Sequence, residues 1–175
     1  MSRVIVVCGL SGSGKTTLAK ELSRRLNIAC LHKDSVKEKL YESLGCSTLE
    51  QSRQTGLYAI QLILALAEEQ IANGVDVILE SPFNHEDNAK LFHAWKKKYD
   101  IDFYAVICEV DQETRMQRRS DRPRHSAHHE AFRLREGVSF SPEEWDYASM
   151  PEKKIFVRTE ESVNASINAI LQELG

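Results

Sequence analysis

The sequence lacks the features that would indicate a membrane, secreted or disulfide-stabilised protein. No apolar run approaches the roughly 20 residues that a membrane-spanning helix needs, and the apolar stretch at the N-terminus is too short for a signal peptide. The four cysteines lie far apart, with neither a C-x-x-C pair nor a zinc-binding spacing. We therefore expect a cytoplasmic protein with reduced, structural cysteines and no membrane contact.

A strong net charge is also missing. The formal charge of −3 over 175 residues argues against nonspecific binding to nucleic acid. The charge is nevertheless uneven, because residues 115–135 contain seven arginines and no lysine, against only Asp121 and Glu130. That window carries about +5 and the rest of the chain about −8. The length and the ordinary apolar fraction predict one domain over residues 1–175.

Apolar, strand-like runs alternate with amphipathic segments along the chain. The predicted strands cover about residues 3–8, 28–32, 75–80, 101–109 and 154–158. Helices are predicted between them, with two rows of apolar residues at helical spacing facing inward: Leu18, Leu22 and Leu26, then Leu57, Ile60, Leu64 and Ile71. Strands separated by helices favour a parallel sheet covered on both faces, in which ligands bind beyond the carboxyl ends of the strands.

Polar residues mark where the helices are expected to begin. Two capping-box patterns, Ser35–Glu38 and Ser47–Glu50, predict helix starts, with Gly45 and then Gly74 ending the helices that follow. Further starts are predicted at Asn84, Asp111, Ser141 and Thr159, the last opening a helix with Val163, Ile167, Ile170 and Leu174 inward.

The segment GLSGSGKT, residues 9–16, fits the P-loop pattern between a strand and a helix. Small residues allow backbone N–H groups to turn inward toward phosphate oxygens. We expect Lys15 to reach the β- and γ-phosphates of ATP and the Thr16 hydroxyl to bind Mg²⁺. The predicted nucleotide-binding residues of this segment are Gly9, Ser11, Gly12, Ser13, Gly14, Lys15, Thr16 and Thr17.

Three residues near the ends of the next two strands are candidates for the rest of the site. Asp34 either orients or deprotonates a substrate hydroxyl, or only helps to start a helix. Lys37, one turn further, either holds an anionic group of the acceptor or is a solvated lysine. Glu80 either holds Mg²⁺ through its waters or is a surface carboxylate.

Two arginines of the basic window, Arg118 and Arg122, stand four residues apart, with Arg115 and Arg119 nearby. A planar guanidinium suits phosphate geometry, and an arginine over a transferring phosphoryl group stabilises its negative charge. We expect Arg118 and Arg122 to act jointly on phosphate instead of forming a solvated helix face. Less is assigned to Arg124, Arg133 and Arg135, and the histidines His125, His128 and His129 are expected to be polar loop residues without a metal.

Four motifs in order, GLSGSGKTT, HKDSVKEKL, VILESPF and VDQETRMQRRSDR, resemble those of the P-loop kinases of the nucleoside-monophosphate-kinase-like group. Within that group, the chain is most similar to the small ATPase/kinase family that includes polynucleotide 5′-hydroxyl kinase and chloramphenicol phosphotransferase. The resemblance implies an α/β, three-layer P-loop NTPase fold with five parallel strands in the order 2-3-1-4-5. It also implies an arginine-rich lid over about residues 115–137.

The resemblance further implies roles for particular residues. Asp34 would bind or deprotonate the acceptor hydroxyl, Arg118 and Arg122 would belong to the lid over ATP, and the segment around Val157 and Thr159 would lie near the adenine. Residues and resemblance together predict a kinase that moves the γ-phosphoryl group of ATP to a hydroxyl of a small molecule. A 5′-hydroxyl nucleic-acid or nucleoside kinase, less favoured, and an ATP-binding regulatory module without a transfer substrate remain as alternatives.

Overall fold

The computed structural model describes residues 1–129, 147–151, 153–160 and 162–175. The strands in these ranges are β1 (Ser2–Gly9), β2 (Cys30–His32), β3 (Val77–Glu80), β4 (Ile101–Glu109) and β5 (Lys154–Arg158). The helices in these ranges are α1 (Lys15–Leu26), α2 (Lys33–Ser43), α3 (Leu49–Ala72), α4 (Glu86–Lys98), α5 (Gln112–Asp121) and α6 (Val163–Leu174), with a 3₁₀ turn at Ser126–His128.

The strands form one parallel sheet in the order β2-β3-β1-β4-β5, which confirms the predicted fold class and strand order. In this register Gly9 of β1 lies beside Cys108 of β4, and His32 of β2 lies beside Glu80 of β3. Because parallel strands end at a common edge, the P-loop, the start of α2 and the segments after β3 and β4 all open on the same side of the sheet.

The core lies on both faces of the sheet, as an alternating βα pattern requires. Val4, Val6 and Cys8 of the central strand pack toward α3 and α4, whereas Ile5 and Val7 pack toward α1 and α6. All five side chains are fully buried. Burial of an aliphatic side chain of this size contributes about 1.5–3 kcal/mol, so β1 is a rigid base for the loop that follows it.

The inward face of α1 is as predicted, but that of α3 is only partly so. Leu18 and Leu22 are buried, and Leu26 packs against the same cluster. In α3, Ile71 is buried and Ile60 and Leu64 pack against the core, whereas Leu57 is 57% exposed, so its inward placement is wrong. The true inward row repeats every four residues through Ala59, Ile63 and Ala67. Leu57 stands two positions from Ala59, on the far side of a 3.6-residue turn.

Two helix starts differ from the predicted capping boxes. Helix α2 begins at Lys33 directly after β2, so Ser35 is not its cap and Asp34 lies in the first helical turn. An acidic residue in that turn interacts favourably with the helix N-terminus. Helix α3 does begin with a capping box, but it joins Thr48 and Gln51 and therefore lies one residue later than predicted. Gly45 and Gly74 follow the ends of these helices, as predicted.

Of the other predicted helix starts, one is confirmed and two are wrong. Asp111 caps α5 by accepting a hydrogen bond from the Thr114 N–H, as predicted. Helix α4 is capped by His85 and not by Asn84, because the His85 ring accepts from the Asp87 N–H. Helix α6 is capped by Ser162 and not by Thr159. Its residue Val163 is 38% exposed, whereas Ile167, Ile170 and Leu174 are buried. The predicted start at Ser141 lies outside the described residues.

The remaining differences are small or concern composition. Strand β3 begins at Val77 and β2 at Cys30, two residues later than predicted in each case. The four cysteines are all unpaired thiols, as expected. Within the described ranges, no helix has both the length and the apolar character needed to cross a membrane.

Candidate nucleotide and acceptor site

A cleft of about 690 Å³ opens at the carboxyl edge of the sheet. The P-loop and the first turns of α1 line one part of it, and the first turns of α2 line another. In the described part of the chain, the rest of the lining comes from α5 and the segment after it, the segments after β3 and β5, and the start of α6. Its volume falls in the range of small-molecule and cofactor sites. Every segment that the sequence marked for chemistry, except the end of β3, therefore borders one cavity.

The glycines of the P-loop permit two close backbone contacts. Gly9 has a φ of 142°, and a β-carbon there would lie 2.6 Å from the Cys108 carbonyl oxygen. Gly12 has a φ of 89°, and a β-carbon there would lie 2.8 Å from the Arg115 carbonyl oxygen. Only glycine combines this backbone conformation with such contacts. The loop can therefore lie directly against β4 and α5 only with glycine at both positions.

The P-loop leads into the N-terminus of α1, whose partial positive charge is not neutralised by a capping or acidic side chain. Gly14 is the N-cap of α1 and offers no side chain to its N–H groups, and the first turn contains no acidic residue. These N–H groups and the helix dipole favour an anion. Lys15 is 8% exposed, and its Nζ donates to the Leu10 carbonyl at 3.1 Å. Thr16 and Thr17 also line the cleft.

Arg118 connects α5 to the segment after β5. Its two terminal nitrogens donate to Thr159, one to the hydroxyl at 3.0 Å and one to the carbonyl at 2.7 Å. The position that a β-carbon of Gly14 would take lies 3.3 Å from the Thr159 hydroxyl oxygen. Arg118 and Thr159 therefore lie beside the P-loop, and their roles toward ATP stay predictions. Arg122, at the end of α5, lines the same cleft.

Asp34 lies in the same cleft within a group of cations. One carboxylate oxygen is 3.7 Å from Lys33 Nζ, and the other is 3.5 Å from Nη1 of Arg124. Burial raises the pKa of Asp34, but the positive charges of Lys33, His128, Lys15 and Arg124 outweigh it and hold the pKa below its usual value. Asp34 is therefore ionised at neutral pH.

Arg124 connects the P-loop with the Asp34 side of the cleft. Its Nη2 donates to the Ser11 hydroxyl at 3.0 Å, while Nη1 faces Asp34. An arginine can make both contacts because its guanidinium presents several N–H groups in one plane. Sequence reasoning assigned little to this residue, and the structure places it between the predicted phosphate-binding and acceptor-binding residues.

His128 is the second residue of the cleft that the sequence did not indicate. It is nearly buried, and its Nε2 lies 2.7 Å from a carboxylate oxygen of Glu38 on α2. Burial lowers its pKa, although Asp34 and Glu38 act in the opposite direction. His125 and His129 point elsewhere, contacting Glu42 and Tyr41 of α2 at 3.2 Å each. These contacts attach the segment after α5 to α2.

Lys37 lines the cleft on the first turns of α2 and is only 4% exposed. Its aliphatic chain passes α3 at Gly56, where a β-carbon would lie 3.8 Å from Cδ and Cε. Of the two alternatives for Lys37, the solvated lysine is therefore wrong, because packing of the aliphatic chain buries the residue. A buried lysine in a cleft is suited to binding an anion.

Glu80 does not line the cleft, and neither do Gly9 and Ser13 of the predicted site residues. Glu80 ends β3 beside Val7 and is 3% exposed, so it is not a surface carboxylate. Its Oε2 lies 3.2 Å from Nδ1 of His32 in the neighbouring strand. Within the described part of the chain, no three His, Cys, Asp or Glu side chains form a group that could hold a metal ion. A role of Glu80 toward Mg²⁺ stays a prediction.

The remaining site predictions divide by position. Ser13 is buried, with its hydroxyl oxygen 2.7 Å from the place of a β-carbon at Gly9, and it does not line the cleft. Arg133 and Arg135, and the lid beyond residue 129, lie outside the described residues. One sequence signal could have indicated Arg124 and His128. Both follow α5, the helix after β4, and therefore lie near the edge of the sheet where the strands end.

The chain was compared with known proteins. Residues 4–137 match the model of a family described as an AAA domain. The protein named "Probable adenylyl-sulfate kinase" from Archaeoglobus fulgidus is 30% identical over 125 residues, which are 67% of this chain and 74% of that relative.

Solved structures show the same fold. A protein from Chloroflexus aurantiacus described as a candidate kinase superposes with a TM-score of 0.76 at 23% identity over 99% of each chain. The APS kinase of Mycobacterium tuberculosis in complex with AMPPNP and APS superposes with a TM-score of 0.63 at 18% identity, covering 99% of this chain and 97% of that one. The subgroup with polynucleotide kinase and chloramphenicol phosphotransferase stays a prediction. This chain belongs to the AAA domain family.

Proposed function

We propose that this protein is an ATP-dependent kinase that transfers the γ-phosphoryl group to a hydroxyl of a small, anionic acceptor. The observation that carries the proposal is the position of Asp34: it lies in the same cleft as the P-loop, and Arg124 joins it to Ser11. A phosphate-binding loop alone is compatible with many activities. A carboxylate beside it supplies the group that an acceptor hydroxyl requires.

The phosphate-binding side contributes positive charge in fixed positions. The P-loop amides and the α1 N-terminus would hold the phosphates of ATP, with Lys15 reaching toward them. Arg118 on α5 and Arg122 directly after it would neutralise charge that spreads over the transferring phosphoryl group. Such groups cost little reorganisation during the reaction because the fold holds them in place.

A divalent ion fits this arrangement. The Thr16 hydroxyl lines the cleft, and hydroxyl, phosphate and water oxygens are ligands that Mg²⁺ accepts. We propose Thr16 as its protein ligand, with Glu80 as a candidate partner through water. When bound, the ion would neutralise negative charge on the β- and γ-phosphates.

Asp34 would accept a hydrogen bond from the acceptor hydroxyl and aim its oxygen at the γ-phosphorus. The bond from that phosphorus to the ADP oxygen breaks as the new oxygen–phosphorus bond forms, and the hydroxyl proton passes to Asp34 and then to water. Because its pKa is low, Asp34 is a weak base. Its main contribution is therefore orientation, which suits the loose transition state of phosphoryl transfer.

The charge of this part of the cleft indicates the acceptor class. Lys33, Lys37, Arg124 and His128 line it around Asp34, and the described lining of the whole cleft adds one more carboxylate, Asp121, against four further basic side chains, Lys15, Arg115, Arg118 and Arg119, and the exposed Arg122. Such an excess of cations favours an acceptor with a phosphate, sulfate or carboxylate beside its hydroxyl. The name of the relative at 30% identity, an adenylyl-sulfate kinase, refers to an anionic compound as well.

The test is a transfer assay with γ-labelled ATP, Mg²⁺ and a panel of hydroxyl compounds. The panel pairs anionic compounds with neutral analogues, and adds nucleosides and 5′-hydroxyl oligonucleotides. We expect label on an anionic small molecule, and none when Lys15 is replaced by alanine. Label on oligonucleotides, weakening steeply with salt, would instead support the nucleic-acid kinase. ATP binding without transfer to any compound would favour the regulatory module.

A further inference from the structure

We propose that Arg115 is an additional phosphate-binding residue, whose guanidinium donates to the polyphosphate of the nucleotide held by the P-loop. The inference rests on the proposed function, because the anion it names is that of ATP. Arg115 lies outside the Arg118–Arg122 pair and stands one turn nearer the start of α5. The proposed contact between Arg115 and the phosphates is additional to those of the P-loop and of Arg118 and Arg122.

The first observation is an unsatisfied, buried guanidinium. Arg115 is 2% exposed, and its Nη2 is shielded from solvent without a hydrogen-bond partner in the described part of the chain. A buried donor left in this state is costly, and more so when it carries charge. By contrast, Arg118 and Arg124 both donate to named partners in the same cleft. Arg115 is therefore the arginine of this group whose burial is not explained by protein contacts.

The second observation is its position. Arg115 lines the cleft and packs against the P-loop at Gly12. The Cγ atoms of Arg115 and Arg119 each lie 3.0 Å from the place that a β-carbon of Gly12 would occupy. The side chains of Arg115 and Arg119 therefore both pack against the P-loop at Gly12. Burial, and then the charge of Arg119, lower the pKa of the Arg115 guanidinium.

Both observations indicate an anion as the missing partner. Two like charges held together beside the uncapped N-terminus of α1 create a strongly positive region, and a negative ligand would relieve their repulsion. A polyphosphate is the anion that the adjoining loop is shaped to hold. Its oxygens can accept the N–H groups of a guanidinium in pairs.

The test measures affinity for AMP-PNP, ADP, AMP and adenosine by calorimetry with Mg²⁺, in the wild type and in Arg115→Met. Methionine keeps an unbranched chain of similar volume and removes the charge. We expect one or more of the phosphorylated ligands to bind about 10- to 100-fold more weakly, the loss typical of a hydrogen bond to a charged group. Adenosine should bind equally to both proteins. Arg115→Lys, which keeps the charge but not the planar fork, should recover part of the loss.

Thermal unfolding provides a readout that a structural role would not give. Without ligand, Arg115→Met should be at least as stable as the wild type, because it loses an unpaired buried charge. The increase in Tm that AMP-PNP causes should shrink. The control is Arg53→Met, which removes an exposed arginine of α3 outside the cleft and should leave every affinity unchanged.

Equal affinities of wild type and Arg115→Met for every phosphorylated ligand would overturn the inference, and so would an equal loss for adenosine. The proposed function fails separately. If the wild type does not bind AMP-PNP, or if Lys15→Met binds it as well as the wild type does, the P-loop is not the phosphate site. Binding that is lost in Lys15→Met but kept in Arg115→Met argues only against the role of Arg115.

Discussion

The two sides of the cleft are built in different ways. The phosphate-binding side is built around one continuous segment, residues 9–16, whose shape comes from glycine backbone and a helix N-terminus, and arginines of α5 flank it. The acceptor side is assembled from side chains of distant segments, with Asp34 and Lys37 on α2 and Arg124 and His128 after α5. Its members hold one another through ion pairs and hydrogen bonds.

This difference has a physical consequence. Substitutions of the P-loop glycines should act through backbone geometry, those of Lys15 and the arginines of α5 through charge, and both kinds should weaken nucleotide binding. Substitutions on the acceptor side should act through charge, and should leave the nucleotide in place while they impair transfer. The acceptor side should also be the more sensitive to pH, because its contacts include carboxylates and a histidine.

The largest expected effect comes from Asp34→Asn. Asparagine keeps the shape but loses the negative charge that orients the acceptor hydroxyl and can take its proton, so kcat/KM for transfer should fall about 10²- to 10⁴-fold. Affinity for AMP-PNP should stay within about twofold of the wild type. Asp102→Asn is the matched control, because that carboxylate pairs with Lys153 away from the cleft. If Asp34→Asn lost as much affinity for AMP-PNP as it lost in transfer, the two sides of the cleft would not have separate functions.

Lys15→Met should have the next largest effect, and on both measurements. Loss of the ammonium group should lower kcat about 10²- to 10³-fold and should also weaken AMP-PNP binding. Lys20→Met, on the exposed surface of the same helix, should change neither quantity. If Lys15→Met reduced transfer without any change in nucleotide affinity, Lys15 would belong functionally with Asp34.

Much of the phosphate-binding side was predictable because its information is local. The P-loop pattern, the strand before it and the helix after it are contiguous, and the structure confirms all three elements. The alternation of strands and helices indicated a parallel sheet, and the family resemblance supplied its order. Asp34 could be selected because it ends a strand run, even though the helix start was placed two residues too late.

The rest was not predictable because it depends on contacts between distant segments. Nothing in the local pattern around Arg124 shows that the chain returns to Ser11, which lies 113 residues earlier. His128 meets Glu38 across 90 residues in the same way. The prediction that Leu57 faces inward was wrong for a related reason. Helical spacing does not decide which of two apolar rows packs against the sheet.

A glycine pair tests the backbone account of the phosphate-binding side. Gly12→Ala should destabilise the protein by at least about 1 kcal/mol more than Gly45→Ala, because overpacking adds to the conformational strain. Both glycines have positive φ, but only Gly12 faces the Arg115 carbonyl, whereas nothing lies within 4 Å of a β-carbon at Gly45. Urea unfolding of both variants gives the comparison. Equal losses would mean that the Arg115 contact does not constrain the loop.

The smallest effect concerns His128 and pH. Burial lowers its folded-state pKa, so the unfolded chain takes up a proton first as the pH falls below about 6.5. Its contribution to stability is therefore complete above that value and declines below it, with a slope of at most about 1.4 kcal/mol per pH unit.

Urea unfolding between pH 8 and pH 5 should show a shallower slope in His128→Asn than in the wild type. His93→Asn, an exposed histidine of α4, serves as the control and should keep the wild-type slope. The pKa of Asp34 is also lowered, but its contribution is lost only below about pH 4, outside this window. A steeper slope in His128→Asn would show that the folded protein binds the proton more tightly than the unfolded chain.

The most direct test of the whole account is the position of the acceptor in a crystal structure with AMP-PNP and the compound that the transfer assay identifies. We expect the acceptor hydroxyl within hydrogen-bond distance of the Asp34 carboxylate and about 3–3.5 Å from the γ-phosphorus, with the phosphates on the P-loop amides. A hydroxyl that points away from Asp34, or phosphates bound outside residues 9–16, would contradict the claim that the two sides form one kinase site.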